Sequence, residues 1–313
     1  MLFRSDLCIS LRDFIGVCQN ENIYYDVCQI HFLNPIYAKI ADRLKKISRK
    51  VVITPWGSDV LRAKKYQLRG LRKLVQKSNW VTCTQGSRFE KDIVTLLDIP
   101  KEKLYNLPIG IASIDEILSR PFITDEQAKR VWGFEGKYVI VIGYNGSPAH
   151  NHIKVIKSLV FMKKQLPTNT ILVCPMTYGG NPVYRKKIKR LLWNSQFENQ
   201  ILENYLTAEE LVCLRKATDL FIHAQNTDAN SGTIAEYLLC RKKIVNPTWI
   251  TYPHYETYGS PFYSFSNFEE LPQAIMKAIN DTSNKVSPLL TGNISESGWS
   301  KLACKWVELY KKY

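Results

Sequence analysis

Strand-like and helix-like segments alternate along almost the whole chain. That pattern predicts an α/β protein with mainly parallel sheets, arranged as two similar halves. Three observations carry the prediction. Short apolar runs of the kind a parallel sheet buries on both faces recur at residues 25–33 (YDVCQIHFL), 50–55 (KVVITP), 80–84 (WVTCT), 137–143 (KYVIVIG), 170–175 (TILVCP) and 220–224 (LFIHA). Between them lie segments with apolar residues at helical spacing. The chain has 313 residues, 45% hydrophobic and 23% charged, which suits two globular domains of ordinary size.

The totals exclude several classes. No run of 18 apolar residues exists, so a spanning helix is not expected. The opening MLFRSDLCISLRDF lacks the apolar core of a signal peptide. The 8 cysteines are scattered and form no C-x-x-C pair, so neither a zinc site nor a disulfide framework is expected and a reduced cytosolic compartment fits best. The net charge of +15 calls for an anionic partner: nucleic acid, an anionic membrane surface or a phosphorylated substrate.

Taken in order, Leu7 to Cys18 reads as a helix and residues 25–33 as the first buried strand. Pro35 opens a helix with Ile36, Ile40, Ala41 and Leu44 on its apolar side and Lys39, Arg43, Lys45 and Lys46 on its basic side. The strand over 50–55 runs into WGSDVLR, where Gly57 permits close approach or an unusual φ and Ser58 or Asp59 can cap the next helical turn. Residues 61–77 hold seven basic side chains and no acid, with Leu68, Leu71, Leu74 and Val75 at helical spacing. One face therefore packs, while Arg62, Lys64, Lys65, Arg69, Arg72 and Lys73 form a positive face. Such a face suits an anionic lipid surface and equally a phosphate backbone. Ser87 to Leu97 is a helix, residues 104–107 a short strand, and the hinge is expected at about 112–130.

The second half opens with the strand over 137–143. A Gly-bearing loop, YNGSPAHNH, then leads to a helix from Ile153 to Gln165, a strand–loop–helix order suited to phosphate. The strand over 170–175 leads to MTYGGNPVY. Thr207 and Glu210 have the spacing of a capping box. The segment DLFIHAQNTDANSGTIAEYLLCRKKIVN (219–246) reads as strand, polar turn, helix and strand. Asn230 or Ser231 caps that helix, Gly232 and Thr233 occupy its first turn, and Glu236 lies about one turn further in. Free N–H groups there suit a pyrophosphate, and a carboxylate one turn on suits sugar hydroxyls. The plain alternative is an ordinary capped β-α-β unit. Asn267 to Ile279 is a helix, 281–298 a polar linker and Trp299 to Lys312 a final helix.

Asp228 and Glu236 stand in a D-x7-E arrangement that resembles the E-x7-E motif of retaining glycosyltransferases of GT-B fold, particularly glycosyltransferase family 4, with Asp for the first Glu. WGSDVLR resembles the family's cleft-facing Gly-Ser-Asp loop, and IGIASIDEI the end of its first domain. PMTYGGNPVY is similar to a short segment of bacterial transferases that add 4-acetamido-4,6-dideoxygalactose to a lipid-linked precursor. Two departures stand out. Tyr144 occupies the place of the family's usual Arg, and Asn151 or His152 that of its Lys. The N-terminus shows no Gly-rich opening loop, so the chain starts late or its first domain is reduced.

The resemblance implies two Rossmann-like domains with mainly parallel sheets facing a cleft, the first one short: 1–120 on the acceptor side, 121–290 binding a nucleotide-sugar, and 291–313 a linker and terminal helix packing back. It implies transfer of a sugar, with retention, from a nucleotide-sugar donor to a lipid-linked glycan acceptor in bacterial surface-polysaccharide synthesis. Asp228 would contact the transferred sugar and Asp59 the reaction centre. Gly143, Asn145, His152, Tyr178, Leu206, Ser231, Gly232, Thr233 and Glu236 would bind the donor, with Glu236 on the ribose. Replacing Glu236 by Ala is expected to weaken donor binding and leave the fold intact. Neither metal nor cofactor is expected. The enzyme would be cytoplasmic and peripheral on the inner face of the membrane, through the basic face. The alternatives are a GT-B sugar-nucleotide epimerase, an inactive or truncated relative, and a basic nucleic-acid-binding protein, against which no DNA- or RNA-binding motif is found.

Overall fold

The computed structural model describes residues 11–312, and the chain divides into two compact units. One comprises the chain up to Pro108 together with residues from Cys304 onward; the other runs from Ile109 to Ala303. The helix expected over Leu7 to Cys18 is present as Leu11–Asn20, and its expected first residues lie outside the described ones.

The first unit is built on four strands, β1 (Tyr25–His31), β2 (Ser48–Thr54), β3 (Trp80–Cys83) and β4 (Leu104–Asn106), parallel and in the spatial order β1-β2-β3-β4. Val51, Val52 and Ile53 of β2 are fully buried, which is why that strand reads as an unbroken apolar run rather than an alternation. Helix Tyr37–Ile47 buries Ala38, Ala41, Leu44 and Ile47, three residues apart and so on one face. Helix Lys65–Lys77 buries Leu71, Leu74 and Val75. It passes close to the start of the other helix at Gly70, where a Cβ would lie 2.7 Å from the Cβ of Pro35. The Trp306 indole donates to the Pro108 carbonyl at 3.1 Å, tying the chain's last helix, Trp299–Lys311, to this unit's final loop.

The second unit carries a six-stranded parallel sheet: β5 (Tyr138–Ile142), β6 (Thr170–Pro175), β7 (Glu198–Leu202), β8 (Leu220–Ile222), β9 (Lys243–Pro247) and β10 (Phe262–Phe265), in the order β10-β9-β8-β5-β6-β7. The chain winds outward from β5 to β7, returns to the centre at β8 and winds outward again the other way. The order reverses between β5 and β8, and in open sheets of this kind ligands bind outside the carboxyl ends of the strands at that reversal. Alternate residues of β5 feed two cores: Val139 and Val141 join one apolar cluster, Ile140 and Ile142 the other. Each fully buried aliphatic side chain contributes roughly 1.5–3 kcal/mol.

Two connections differ from expectation. The hinge region holds two helices, Ala112–Ser119 and Asp125–Trp132, and Ile114, Ile117 and Ala128 are buried in the second unit. The linker at 281–298 contains helix Pro288–Ser295, capped by Ser287 and buried through Leu290 and Ile294. Both are short and mostly polar, so only a few apolar residues reveal them, and those become legible only once the surface they cover exists. Among the described residues no helix is long and apolar enough to cross a membrane.

Candidate functional site

Three loops leave the carboxyl ends of β5, β6 and β8 and are knitted together. After β5, Gly143 takes φ 63° and Gly146 N–H donates to the Tyr178 carbonyl of the β6 loop at 2.7 Å. Gly180 approaches so closely that a Cβ there would fall 2.0 Å from the Gly146 carbonyl oxygen. Only glycine fits, and at φ 68° only glycine is unstrained. From the β8 loop, Asn226 N–H donates to the Ala149 carbonyl at 3.0 Å, and Asn151 Nδ2 donates to the Ala224 carbonyl at 2.8 Å. The Tyr144 hydroxyl and the Gln225 amide also hydrogen-bond.

Asp228 sits in this β8 loop with only 11% of its side chain exposed. It accepts the Tyr252 hydroxyl at 2.8 Å and its neighbour's N–H, that of Ala229, at 2.8 Å. His223 Nε2 lies 3.2 Å from Asp228 Oδ2, close enough for an ion pair though not aligned as a hydrogen bond. Burial pushes the carboxyl pKa up; His223, Tyr252 and the Ala229 N–H outweigh it, and the net shift is downward. Asp228 therefore stays ionised. Behind it, Asn246 Nδ2 donates to the carbonyls of Pro247 and Ile250, at 3.1 and 2.8 Å. That fixes the amide so that Oδ1 faces His223 Nδ1 at 2.8 Å, and His223 must donate from Nδ1.

Helix Gly232–Leu239 begins beside Asp228. Of the two candidate caps, Ser231 is the one used, accepting Ile234 N–H at 3.4 Å. Gly232 and Thr233 form the half-buried first turn. Glu236 lies one turn into this helix, as its spacing predicts, and its carboxylate already has two partners. It is buried, its Oε2 accepts Arg215 Nε at 2.7 Å, and its Oε1 accepts the Ser113 hydroxyl. Burial works against the Arg215 charge, but Tyr237 and Glu236 hold the guanidinium pKa above its usual value.

The remaining expected donor residues surround the same loops. Asn145 is buried and its Oδ1 accepts Ser147 N–H at 2.9 Å. His152 is buried behind Gly143, with Nδ1 at 3.1 Å from the Tyr184 hydroxyl. Burial lowers its pKa to about 4, so it is neutral. Tyr178 is exposed and stacks on exposed Tyr205, with ring centroids 6.2 Å apart and planes 4° from parallel. Leu206 is half-buried against the core, and Thr207 and Glu210 form the capping box that their spacing predicts. Arg185 brings a cation to these loops: its guanidinium donates to the Gly179 carbonyl at 2.8 Å and lies 4.0 Å from the Glu203 carboxylate.

In the first unit, Asp59 accepts Leu33 N–H at 2.7 Å, Trp56 N–H at 3.1 Å and Gly57 N–H at 2.8 Å. It ties the loops after β1 and β2 together, so its lone pairs hold the backbone rather than reacting groups. On the basic helix, Lys64, Lys65, Arg69 and Lys73 are exposed. Arg72 leaves that face: its Nε donates to the Leu96 carbonyl and lies 3.0 Å from Asp98. Arg215, Ser113, Asn246 and Tyr252 had no sequence signal. His223 had one, a histidine inside an otherwise apolar strand. Among the described residues no three His, Cys, Asp or Glu side chains cluster as metal ligands.

No family model matches the chain, and no curated protein matches it by sequence. Solved structures do match by fold. The sucrose-phosphate synthase of Thermosynechococcus elongatus superposes with a TM-score of 0.70 at 14% identity, over 99% of this chain and 80% of that one. A glycosyltransferase from Rickettsia africae gives 0.71 at 16%, over 96% and 79%. Anabaena HepE, solved with UDP and glucose, gives 0.72 at 15%, over 95% and 80%. The chain thus has the α/β fold of the GT-B glycosyltransferases, with two parallel sheets.

Proposed function

We propose that the chain is a glycosyltransferase that takes a sugar from a nucleotide-sugar donor. One observation supports this most: an ionised carboxylate, Asp228, is held among three interlocked loops at the point where the strand order of a parallel sheet reverses. The N-terminus of helix Gly232–Leu239 and the loop after Gly143 suit the departing diphosphate, and such fixed dipoles stabilise developing charge. Tyr178 and Tyr205 offer a flat aromatic surface to a nucleobase. In this reading Asp228 contacts the transferred sugar and the anomeric configuration is retained. Catalysis needs no metal, and activity persists in EDTA. The acceptor is a lipid-linked glycan, in the synthesis of a bacterial surface polysaccharide, and the exposed basic face of helix Lys65–Lys77 holds the enzyme on the inner membrane surface. The deciding experiment is a thermal-shift screen against UDP, GDP, TDP and CMP with and without magnesium. A metal-independent rise with one nucleotide supports the reading; no rise with any removes it.

His223 beside Asp228, with His150 and His152 on the neighbouring loop reached through Tyr144, favours one second reading, a sugar-nucleotide epimerase. It is distinguished by a donor sugar that changes configuration while remaining attached to its nucleotide.

A further inference from the structure

Four of the first unit's exposed apolar side chains lie at one end, apart from Tyr24 and Tyr25 at the start of β1. Phe32 (51% exposed), Ile36 (57%), Trp56 (54%) and Tyr66 (67%) all lie where β1 and β2 end and the next helices begin. The chain holds them together. Asp59 accepts backbone N–H groups from both loops, Phe32 N–H donates to the Thr54 carbonyl at 3.3 Å, and the Trp56 indole sits edge-on to His31 at 6.1 Å. Tyr66 lies one turn before Gly70, on the helix face that touches Pro35. Phe32 adopts φ 57°, a left-handed conformation that is an outlier for a bulky residue and persists only where the surroundings impose it. The result is an exposed aromatic and aliphatic patch that the core does not use. Exposed cations rim it: Lys39 from the helix after β1, and Lys64, Lys65 and Arg69 from the basic helix. No acidic residue occurs between Val60 and Lys77.

We propose that this end of the first unit docks on an anionic lipid bilayer, with Phe32, Ile36, Trp56 and Tyr66 entering the boundary between headgroups and acyl chains. Lys64, Lys65 and Arg69 lie against the lipid phosphates. Amphipathic aromatic side chains favour that boundary, and cations beside them favour anionic lipid. Ile36 has no stacking face, so it gains from acyl chains and nothing from nucleobases. The inference deepens the membrane reading above: it says that charge alone does not hold the protein there.

The test uses the full chain, without nucleotide, and phosphatidylcholine vesicles with or without phosphatidylglycerol. Its result therefore does not depend on whether the protein transfers sugars. Binding to the anionic vesicles is expected to survive added salt in part, and brominated acyl chains should quench tryptophan fluorescence in the parent chain but far less in Trp56→Phe. Phe32→Gly removes an apolar group while relieving its backbone. It is expected to melt no lower than the parent and to bind anionic vesicles about tenfold more weakly, as does Trp56→Ser. Binding that salt abolishes completely, unaltered binding by these variants, quenching unaffected by Trp56→Phe, or preference for an oligonucleotide over anionic vesicles would each overturn the proposal.

Discussion

Arg215 Nε and Glu236 Oε2 lie 2.7 Å apart, and their side chains are 7% and 8% exposed. The guanidinium also donates to the Tyr237 hydroxyl at 3.2 Å and lies over that ring, 4.7 Å from its centroid. A charge this deep is tolerated only while its partner is present. Removing one member of a buried pair costs about 3–5 kcal/mol, because the other is left unpaired away from water.

Glu236→Ala is therefore expected to destabilise the second unit, contrary to what the sequence alone suggested. Urea unfolding should show Glu236→Ala and Arg215→Ala each losing about 3–5 kcal/mol, with the double variant Arg215→Met/Glu236→Leu recovering most of it. Losses below about 1 kcal/mol in the single variants would show that the pair is not structural. Donor affinity must then be compared only between variants that remain folded.

Tyr252→Phe deletes the hydroxyl that donates to Asp228 at 2.8 Å. A hydrogen bond to a charged group is worth about 1.5–3 kcal/mol, and that loss is expected in chemical denaturation at pH 7. The sign of its pH dependence is set by Asp228. The folded carboxyl pKa is depressed, so its stabilisation is present above the unfolded value and fades as pH falls through the folded one. The difference between Tyr252→Phe and parent should therefore shrink at low pH.

Buried histidines set a second acid limb. Burial lowers the pKa of both His152 and His254 to about 4. Between the ordinary value near 6.5 and about 4, the unfolded chain takes up protons that the folded one refuses, so stability falls as pH drops through that window. Each histidine removes about 3 kcal/mol of stability in total across this window, at no more than about 1.4 kcal/mol per pH unit. Urea midpoints measured from pH 7 to 4 should decline, and His254→Gln should flatten the decline.

Gly180→Ala tests the interlocked loops. The added methyl meets the Gly146 carbonyl at 2.0 Å and the φ of 68° strains any L side chain, so the β5 and β6 loops must separate. Nucleotide affinity is expected to fall more than tenfold, with a stability loss of about 1–3 kcal/mol. Gly133→Ala, also at positive φ but with nothing within 4 Å, is the control. It should cost about 1 kcal/mol and leave affinity unchanged.

Periodicity determined the fold class by itself. Runs such as residues 137–143 are buried on both faces, so they must belong to parallel strands between helices, and the capping box at Thr207 and Glu210 is a local pattern that needs no tertiary partner. Candidate positions on the loops after β5 and β8 could likewise be read from glycines and short polar side chains beside strand ends. Tertiary structure alone decided the partners. Glu236 meets Arg215 from a different helix, 21 residues away, and Ser113 from 123 residues away. Asp228 meets Tyr252 across the carboxyl end of the sheet. Asp59 spends its oxygens on N–H groups that two separate loops bring to it. Burial turns a carboxylate from a reagent into a fastening or holds it ionised, and burial is set by contacts distant in sequence, which no local pattern records.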